Sequence, residues 1–406
     1  LTTTAPRIDL TDPASFAHGH PHEQYRWLRA HDPVHWHPEQ NGRGFWAVMR
    51  YDDVVAVGRD PETFSSYRGG IMLPDADEAS LAGARLMMLY MDPPQHTRYR
   101  LLVNRGFTRN AAQRFADRIQ ELAARIIDRV IARGECDLVE EVAGLLPSYF
   151  IADVMGIPLE DGVRLYELTE IMHSADPALS PERRRSAVAE MLAYAAEVAR
   201  TKRRHPGNDL ASTLVEATVD GERLSDDEFN YFFLLLINAG GDTTRNLVAG
   251  GMHALFEHPQ ERRRLQANLD ALLPTAVEEM LRYCSPVVHM RRTATRDTVL
   301  RGRRIREGDK VVMFYGSANR DEDIFLEPDR FDVGRTPNEH VAFGGGGPHY
   351  CLGAHVARIE IAAMLREILT RLPDIEPAGP VTWLPSVFIS GPKHLPVRFT
   401  PGKPRV

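Results

Sequence analysis

Apolar residues recur every three or four positions through NAAQRFADRIQELAARIIDRVIAR, where Ile119, Leu122, Ile126 and Val130 share one face and predict an amphipathic helix. Segments of this kind dominate from about Asp92 to about residue 290. The longest reads as one helix from Asp226 to Glu257, opened by a capping box of Ser225 and Glu228 and closed near Pro259. Its stretch Phe232 to Ile237 is apolar without interruption, which predicts a helix crossing the core. A further helix is predicted over CLGAHVARIEIAAMLREILTRL, with Val356, Ile359 and Ala363 on one face and Leu365, Ile368 and Leu372 on an adjoining stripe. Strand-like runs occur near the N-terminus, in PVHWHP and GRGFWAVMRYDDVVAV, and again in TVLRGRRI, DKVVMFYG, VTWLP and LPVRF. The pattern predicts a mainly α fold with a small β portion drawn from both ends of the chain. No repeat, low-complexity tract or linker divides it, so residues 1–406 are expected to form one domain, with 1–15 loosely ordered.

Composition changes this picture little: 43% hydrophobic and 26% charged residues are ordinary for a soluble globular chain. A net charge of -7 argues against general nucleic-acid affinity. No apolar run reaches the roughly 18 residues of a membrane span, and LTTTAPRIDL lacks the basic and apolar regions of a signal peptide. A cytoplasmic protein is expected. Cys136, Cys284 and Cys351 show no paired spacing, which favours free thiols in a reducing compartment.

Three stretches carry candidate chemistry. In FGGGGPHYCLG, Cys351 is expected at a helix N-terminus, where unpaired N–H groups and the macrodipole favour a thiolate. The glycines before it would let backbone approach a flat or bulky ligand. A phosphate loop would need Gly-Lys-Ser/Thr where this chain has Gly-Pro-His, and zinc needs about four ligands where Cys351 and His355 offer two. A buried structural cysteine and an axial thiolate on heme iron both remain. In the long helix, Ala239, Gly240, Gly241, Asp242, Thr243 and Thr244 put poor helix formers and hydrogen-bonding side chains in the core. That suits a local groove for a diatomic molecule and water, or close packing against a neighbouring helix. In AVEEMLRY, Glu279 and Arg282 are spaced to pair along a helix.

Taken in order, AGGDTT, EMLR, EPDRF and FGGGGPHYCLG resemble the cytochrome P-450 family of heme-thiolate monooxygenases, from about residue 20 to the C-terminus. The resemblance implies the cytochrome P-450 fold, with a long central helix over heme b (iron protoporphyrin IX) and the cysteine-loop helix beneath it. Cys351 would be the iron ligand, with Phe343, Gly344 and Gly353 around it and Ala239 and Gly240 in the distal groove. His96, Arg100, Arg291 and His349 would contact the heme propionates, and Glu279, Arg282 and Arg330 would form a structural network holding the cysteine loop. One departure stands out: Phe343 lies eight residues before Cys351 where the family has seven, leaving Gly344 at the usual place. This longer loop, with DTTRN, is similar to bacterial members that hydroxylate sterol side chains and methyl-branched lipids.

The implied reaction inserts one atom of O2 into an unactivated C–H bond of a hydrophobic molecule: a sterol, branched lipid, terpenoid or polyketide. Asp242 and Thr243 would deliver protons. Substrate-lining positions are expected at Met87, Met88, Val287, Val288, His289 and Val387, with the region of Met172 and His173 nearby. Electrons would come from a ferredoxin and an NAD(P)H-dependent ferredoxin reductase, for which Arg98, Arg105, Arg109 and Arg114 are either a docking face or ordinary solvated arginines. A peroxide-driven oxygenase and a non-catalytic heme sensor or carrier are the rival functions.

Overall fold

The computed structural model describes residues 6–173 and 179–405. Its principal helices are α1 (His22–His31), α2 (Tyr51–Arg59), α3 (Gln95–Phe107), α4 (Ala116–Val130), α5 (Leu145–Met155), α6 (Leu159–His173), α7 (Pro181–Arg204), α8 (Asp226–Glu257), α9 (Leu269–Cys284) and α10 (Ala354–Arg371). Strands β1 (Val34–His37), β2 (Phe45–Val48), β3 (Phe64–Ser65), β4 (His289–Ala294) and β5 (Lys310–Phe314) form the largest sheet, in the order β1-β2-β5-β4-β3. All neighbours in it are antiparallel except β2 and β5. The fold is thus mainly α with small sheets, as the sequence pattern predicts.

The capping box that opens α8 forms as expected: the Glu228 N–H donates to Ser225 Oγ at 3.2 Å, and the Ser225 N–H donates to the Glu228 carboxylate at 2.8 Å. From there α8 runs unbroken for 32 residues, about 48 Å at 1.5 Å per residue. Its two halves bury in different places. Phe229 and Phe232 to Ile237 pack with α5, α6 and α7, whereas Leu247 to Leu255 pack with α4, α9 and α10. Because both flanks are largely apolar and buried, the glycines between them do not break the helix.

Two sequence expectations fail for identifiable reasons. YDDVVAV, read as strand, is helix α2: Asp52 and Asp53 lie in its first turn, and the Tyr51 N–H donates to Asp321 Oδ2 at 2.9 Å, capping the helix from a distant segment. The chain from residue 6 to 15 is packed rather than loose. Leu10 is wholly buried with Phe16, Tyr25 and Leu28, and its N–H donates to His37 Nε2 at 3.0 Å. Residues 1–5 lie outside the described residues.

Among the described residues no single helix is long and apolar enough to cross a membrane, and the one pair that passes such a test together is bent by 119°. Leu10→Ala is expected to destabilise the protein by about 2–5 kcal/mol, the cost of an unfilled core site. A urea midpoint equal to that of the native chain would show that this segment is not docked.

Candidate functional site

The cysteine loop ends before the helix it was expected to open. Cys351 lies three residues ahead of α10, whose first helical residue is Ala354, with Gly353 as its cap. The Cys351 N–H closes the loop by donating to the Phe343 carbonyl at 3.0 Å. Part of the glycine run serves helix packing. A Cβ on Gly345 would sit 2.8 Å from Val55 Cα, and one on Gly347 would sit 2.3 Å from the Gly58 carbonyl, so the loop lies backbone to backbone against α2. Gly344 and Gly353 face open space, with nothing nearer than 3.9 Å to a Cβ built on either. They are the two positions where a flat ligand has room to approach.

Burial pushes the Cys351 thiol up, against the Gly353 N–H and the cations of Arg100 and Arg358, so in the bare polypeptide desolvation outweighs the helix end. A bound metal ion reverses that balance, because a coordinating thiol is deprotonated outright. Arg358 also stacks over the Phe343 ring at 4.6 Å and grips Glu278 at 2.6 and 2.8 Å. Against burial, which raises it, Arg358 and His340 hold the Glu278 carboxyl down at about 2. The extra residue in the loop therefore leaves Phe343 anchored.

Beside the loop lies a cluster of donors with no matching acid. His96 and His349 have ring centroids 4.3 Å apart; Arg100 donates to the Pro348 carbonyl at 3.0 Å; His349 Nε2 meets Ser66 Oγ at 3.2 Å. Burial lowers His96 to about 4, with Arg100 and Arg292 adding to it, and lowers His349 well below the usual imidazole range. Among the described residues the buried His96 Nδ1 has no hydrogen-bond partner. Among the described residues neither Arg100 nor Arg292 forms an ion pair; the one acid felt by Arg292 is Asp92, already held by Ser65 and by the Ser66 N–H at 2.8 Å.

The fourth member of this cluster corrects the sequence expectation. Alternate side chains of a strand face opposite ways, and on β4 it is Arg292 that turns toward His96 and His349. Arg291 faces away, bound to Asp75 at 3.1 Å and to the carbonyls of Met72, Leu73 and Pro74 at 3.2–3.4 Å. HMRRTA contains both arginines, but register alone decides which one serves. Two cations, two neutral imidazoles, an orphaned nitrogen, open glycines and a thiol fit the two propionates and the iron of a heme.

In the middle of α8, the Thr243 hydroxyl turns back onto the Ala239 carbonyl at 3.3 Å, and Asp242 is buried. The helix is continuous there, so the expected groove is not an interruption of its helical backbone. A Cβ on Gly241 would meet the Tyr166 ring of α6 at 3.0 Å, while one on Gly240 would have 3.9 Å of room to Ile151. The sequence reading missed Arg245, the arginine of DTTRN, whose buried guanidinium pairs with Glu170 and donates to the Tyr166 hydroxyl.

Glu279 and Arg282 form the expected pair, both wholly buried, through two hydrogen bonds of 2.8 Å. Arg282 also donates to the carbonyls of Asn319, Pro328 and Arg330 at 2.7–3.1 Å. The expected third member, Arg330, is corrected to Arg335. Arg335 Nε donates to both Glu279 oxygens at 3.1 and 3.2 Å, while the Arg330 side chain lies in solvent beside Glu327. It is the Arg330 carbonyl that faces the network.

The remaining expected positions separate. Met88 is buried, with Met87 and Met172 beside it, against the first half of α8, and Val287 packs on the Arg292 side of β4. Val288 and Val387 belong instead to the cluster around Phe45 and Phe314. His289 joins them, its Nδ1 at 2.9 Å from the Val387 carbonyl and its ring beside Phe314 and Phe388. Val288 and His289 are buried in that cluster and Val387 is half-buried at its side. The side chain of His173 lies outside the described residues. Arg98 pairs with Asp220 at 2.5 Å, whereas Arg105, Arg109 and Arg114 are exposed without an ion pair among the described residues.

The family model for cytochrome P450 matches residues 173–373. A steroid C26-monooxygenase of Mycobacterium tuberculosis is 38% identical over 406 residues, covering 97% of this chain and 93% of its own. A methyl-branched lipid omega-hydroxylase of the same species is 43% identical over 365 residues, covering 88% and 85%. Among solved structures, a Mycobacterium marinum cytochrome P450 in complex with pseudoionone superposes at a TM-score of 0.91 with 40% identity, covering 98% of this chain and all of that one.

Arg335→Ala is expected to cost about 1–3 kcal/mol, since it strips hydrogen bonds from a buried carboxylate. Arg330→Ala should stay within about 0.5 kcal/mol, as for an ordinary surface change. Equal shifts of the two urea midpoints would return Arg330 to the network.

Proposed function

The chain belongs to the cytochrome P450 family, and from that premise we propose that it hydroxylates an unactivated C–H bond of a sterol side chain or methyl-branched lipid. The observation that carries the reading is the acid-free donor cluster of His96, Arg100, Arg292 and His349 beside the Cys351 thiol. Arg292 is buried and Arg100 half-buried, and two cations so placed without a counter-ion favour an anionic group that completes them. The substrate class rests on the relatives above and on the resemblance carried by the longer cysteine loop and DTTRN. The protein is expected to act as a single cytoplasmic domain carrying heme b.

The overall balance is R–H + O2 + two electrons + two protons giving R–OH + H2O. Heme, when bound through a thiolate, supplies the oxygen activation and favours O–O cleavage. The chain's own groups do the rest. Cys351 offers the ligand sulfur, and the donor cluster takes the propionates. Among the described residues Thr243 has only its long 3.3 Å contact with Ala239 to give up in order to hold a water. Asp242, one residue away, exchanges protons with that water. Met87, Met88 and Val287 supply the apolar surface that excludes bulk water from the substrate. Electrons come from a separate ferredoxin fed by an NAD(P)H-dependent reductase, docking on the unpaired arginines Arg105, Arg109 and Arg114.

Thr243→Ala should retain the heme spectrum and substrate binding but divert electrons into peroxide; unchanged product per NAD(P)H consumed would defeat the proton-delivery role. Cys351→Ser should lose the thiolate spectrum of the reduced carbonyl complex, and its survival would refute the ligand. Titrating the ferric protein with sterols and methyl-branched lipids should shift the Soret band toward high spin. A saturable shift confined to another chemical class would overturn the proposed substrate.

A further inference from the structure

The reaction described above uses nothing from Asp137, Glu140 or His394, three side chains that the fold gathers from two distant stretches of the chain. Asp137 ends the strand Glu135–Asp137, Glu140 lies in the π-helical turn Val139–Ala143, and His394 ends the strand Pro392–His394. Backbone pairing fixes their meeting: Asp137 stands opposite Pro396, and the Leu138 N–H donates to the Leu395 carbonyl at 3.0 Å. His394 Nδ1 then lies 3.0 Å from Asp137 Oδ2 and 3.4 Å from Glu140 Oε1. All three donor atoms fall within 4.8 Å of one another.

Asp137 is oriented by the backbone around it. Its Oδ1 accepts from the N–H groups of Val139 at 2.9 Å, Leu395 at 3.3 Å and Glu140 at 3.4 Å, which leaves Oδ2 to face the imidazole. The neighbouring acid, Glu141, is engaged elsewhere, by the Asp137 N–H at 3.0 Å and by Arg133. Among the described residues no arginine or lysine pairs with Asp137 or Glu140; each has His394 alone. The side chains of Asp137, His394 and Glu140 are 20%, 39% and 58% exposed, so an ion can reach them from solvent.

Charge and spacing distinguish a metal site from a simple ion pair. A protonated His394 would leave the trio with one negative charge unmatched, whereas a neutral imidazole with two carboxylates carries two, which a divalent ion cancels. Ligands held tetrahedrally at zinc's usual bond lengths sit about 3.4 Å apart, close to the two separations seen from Nδ1. One imidazole nitrogen with two carboxylate oxygens suits zinc and its neighbours in the first transition row. Calcium and magnesium take oxygen ligands, and softer ions take sulfur, which this set does not offer.

We propose that Asp137, Glu140 and His394 bind a divalent ion of the zinc class, with water in the fourth position. The ion exchanges solvent ligands for these three side chains and displaces any proton that His394 shares with the carboxylates; nothing is oxidised or reduced. Bound there, it clasps the strand that ends at His394 onto the turn that follows Asp137.

The test is a calorimetric titration of zinc chloride into the chelator-washed holoenzyme. The native protein should bind one equivalent that His394→Gln and Glu140→Gln each weaken by about tenfold or more. Glu376→Gln, which removes an exposed acid of the adjacent strand, should bind as the native protein does. Because His394 and Glu140 are well exposed, both variants should keep the native heme spectrum. Zinc-edge X-ray absorption of the loaded holoenzyme should show a nitrogen and oxygen shell without sulfur, and saturating zinc should raise the melting temperature of the native protein more than that of either variant. No binding by the native protein, an affinity unchanged in both variants, or a sulfur shell that moves the ion to the cysteines overturns the proposal.

Discussion

Glu279 is a carboxylate with no access to solvent, and the proximal half of the molecule is arranged so that its charge is never left alone. Arg282 meets it from its own helix and Arg335 from the loop that follows, while the Asp332 N–H and the Asn338 amide complete its shell at 2.9 and 3.1 Å. Each cation in turn spends its remaining donors on backbone carbonyls of residues 319–330. A buried pair of this kind adds little net stability, but breaking it strands a charge at a cost of about 3–5 kcal/mol. Its effect is therefore on uniqueness. The long irregular stretch after β5 has one arrangement that satisfies the ions, and that arrangement delivers residues 341–353 to the end of α10.

The same logic, reversed in sign, operates at the donor cluster. There the protein assembles cations and neutral imidazoles with no acid paired to them among the described residues, so a partly buried site carries unmet positive potential. The proximal network and the donor cluster differ in what completes them: one is closed by the chain, the other, on the function proposed above, by a cofactor. Structural rigidity in the first allows the second to remain unsatisfied without collapsing.

Periodicity and capping chemistry made the helices legible, because α8 and α10 are decided by residues near in sequence. The motifs located the thiol, the Glu279–Arg282 pair and the acid–alcohol pair for the same reason. What stayed hidden depended on distant partners. Choosing between Arg291 and Arg292 needs the register of β4 on β5, where a slip of one residue exchanges the faces. Choosing between Arg330 and Arg335 needs the turn conformations between them, which place a carbonyl of the first and a guanidinium of the second on one carboxylate. Helix α2 was misread as strand because its cap comes from Asp321, some 270 positions away. Glu170 and Tyr166 carried no motif at all, and only the packing of α6 on α8 reveals them.

The 32 residues of α8 belong to two apolar clusters at once, one before Ala239 and one after Asn246. Helix formation is cooperative along its length, so neither cluster can melt without pulling turns out of the other. The chain consequently has a mechanical spine: loosening of α5, α6 and α7 is felt at α4, α9 and α10, and thermal unfolding should proceed as one event. The residues best placed to transmit or interrupt it are the glycines at the crossing, where the helix has least to hold it except its own hydrogen bonds.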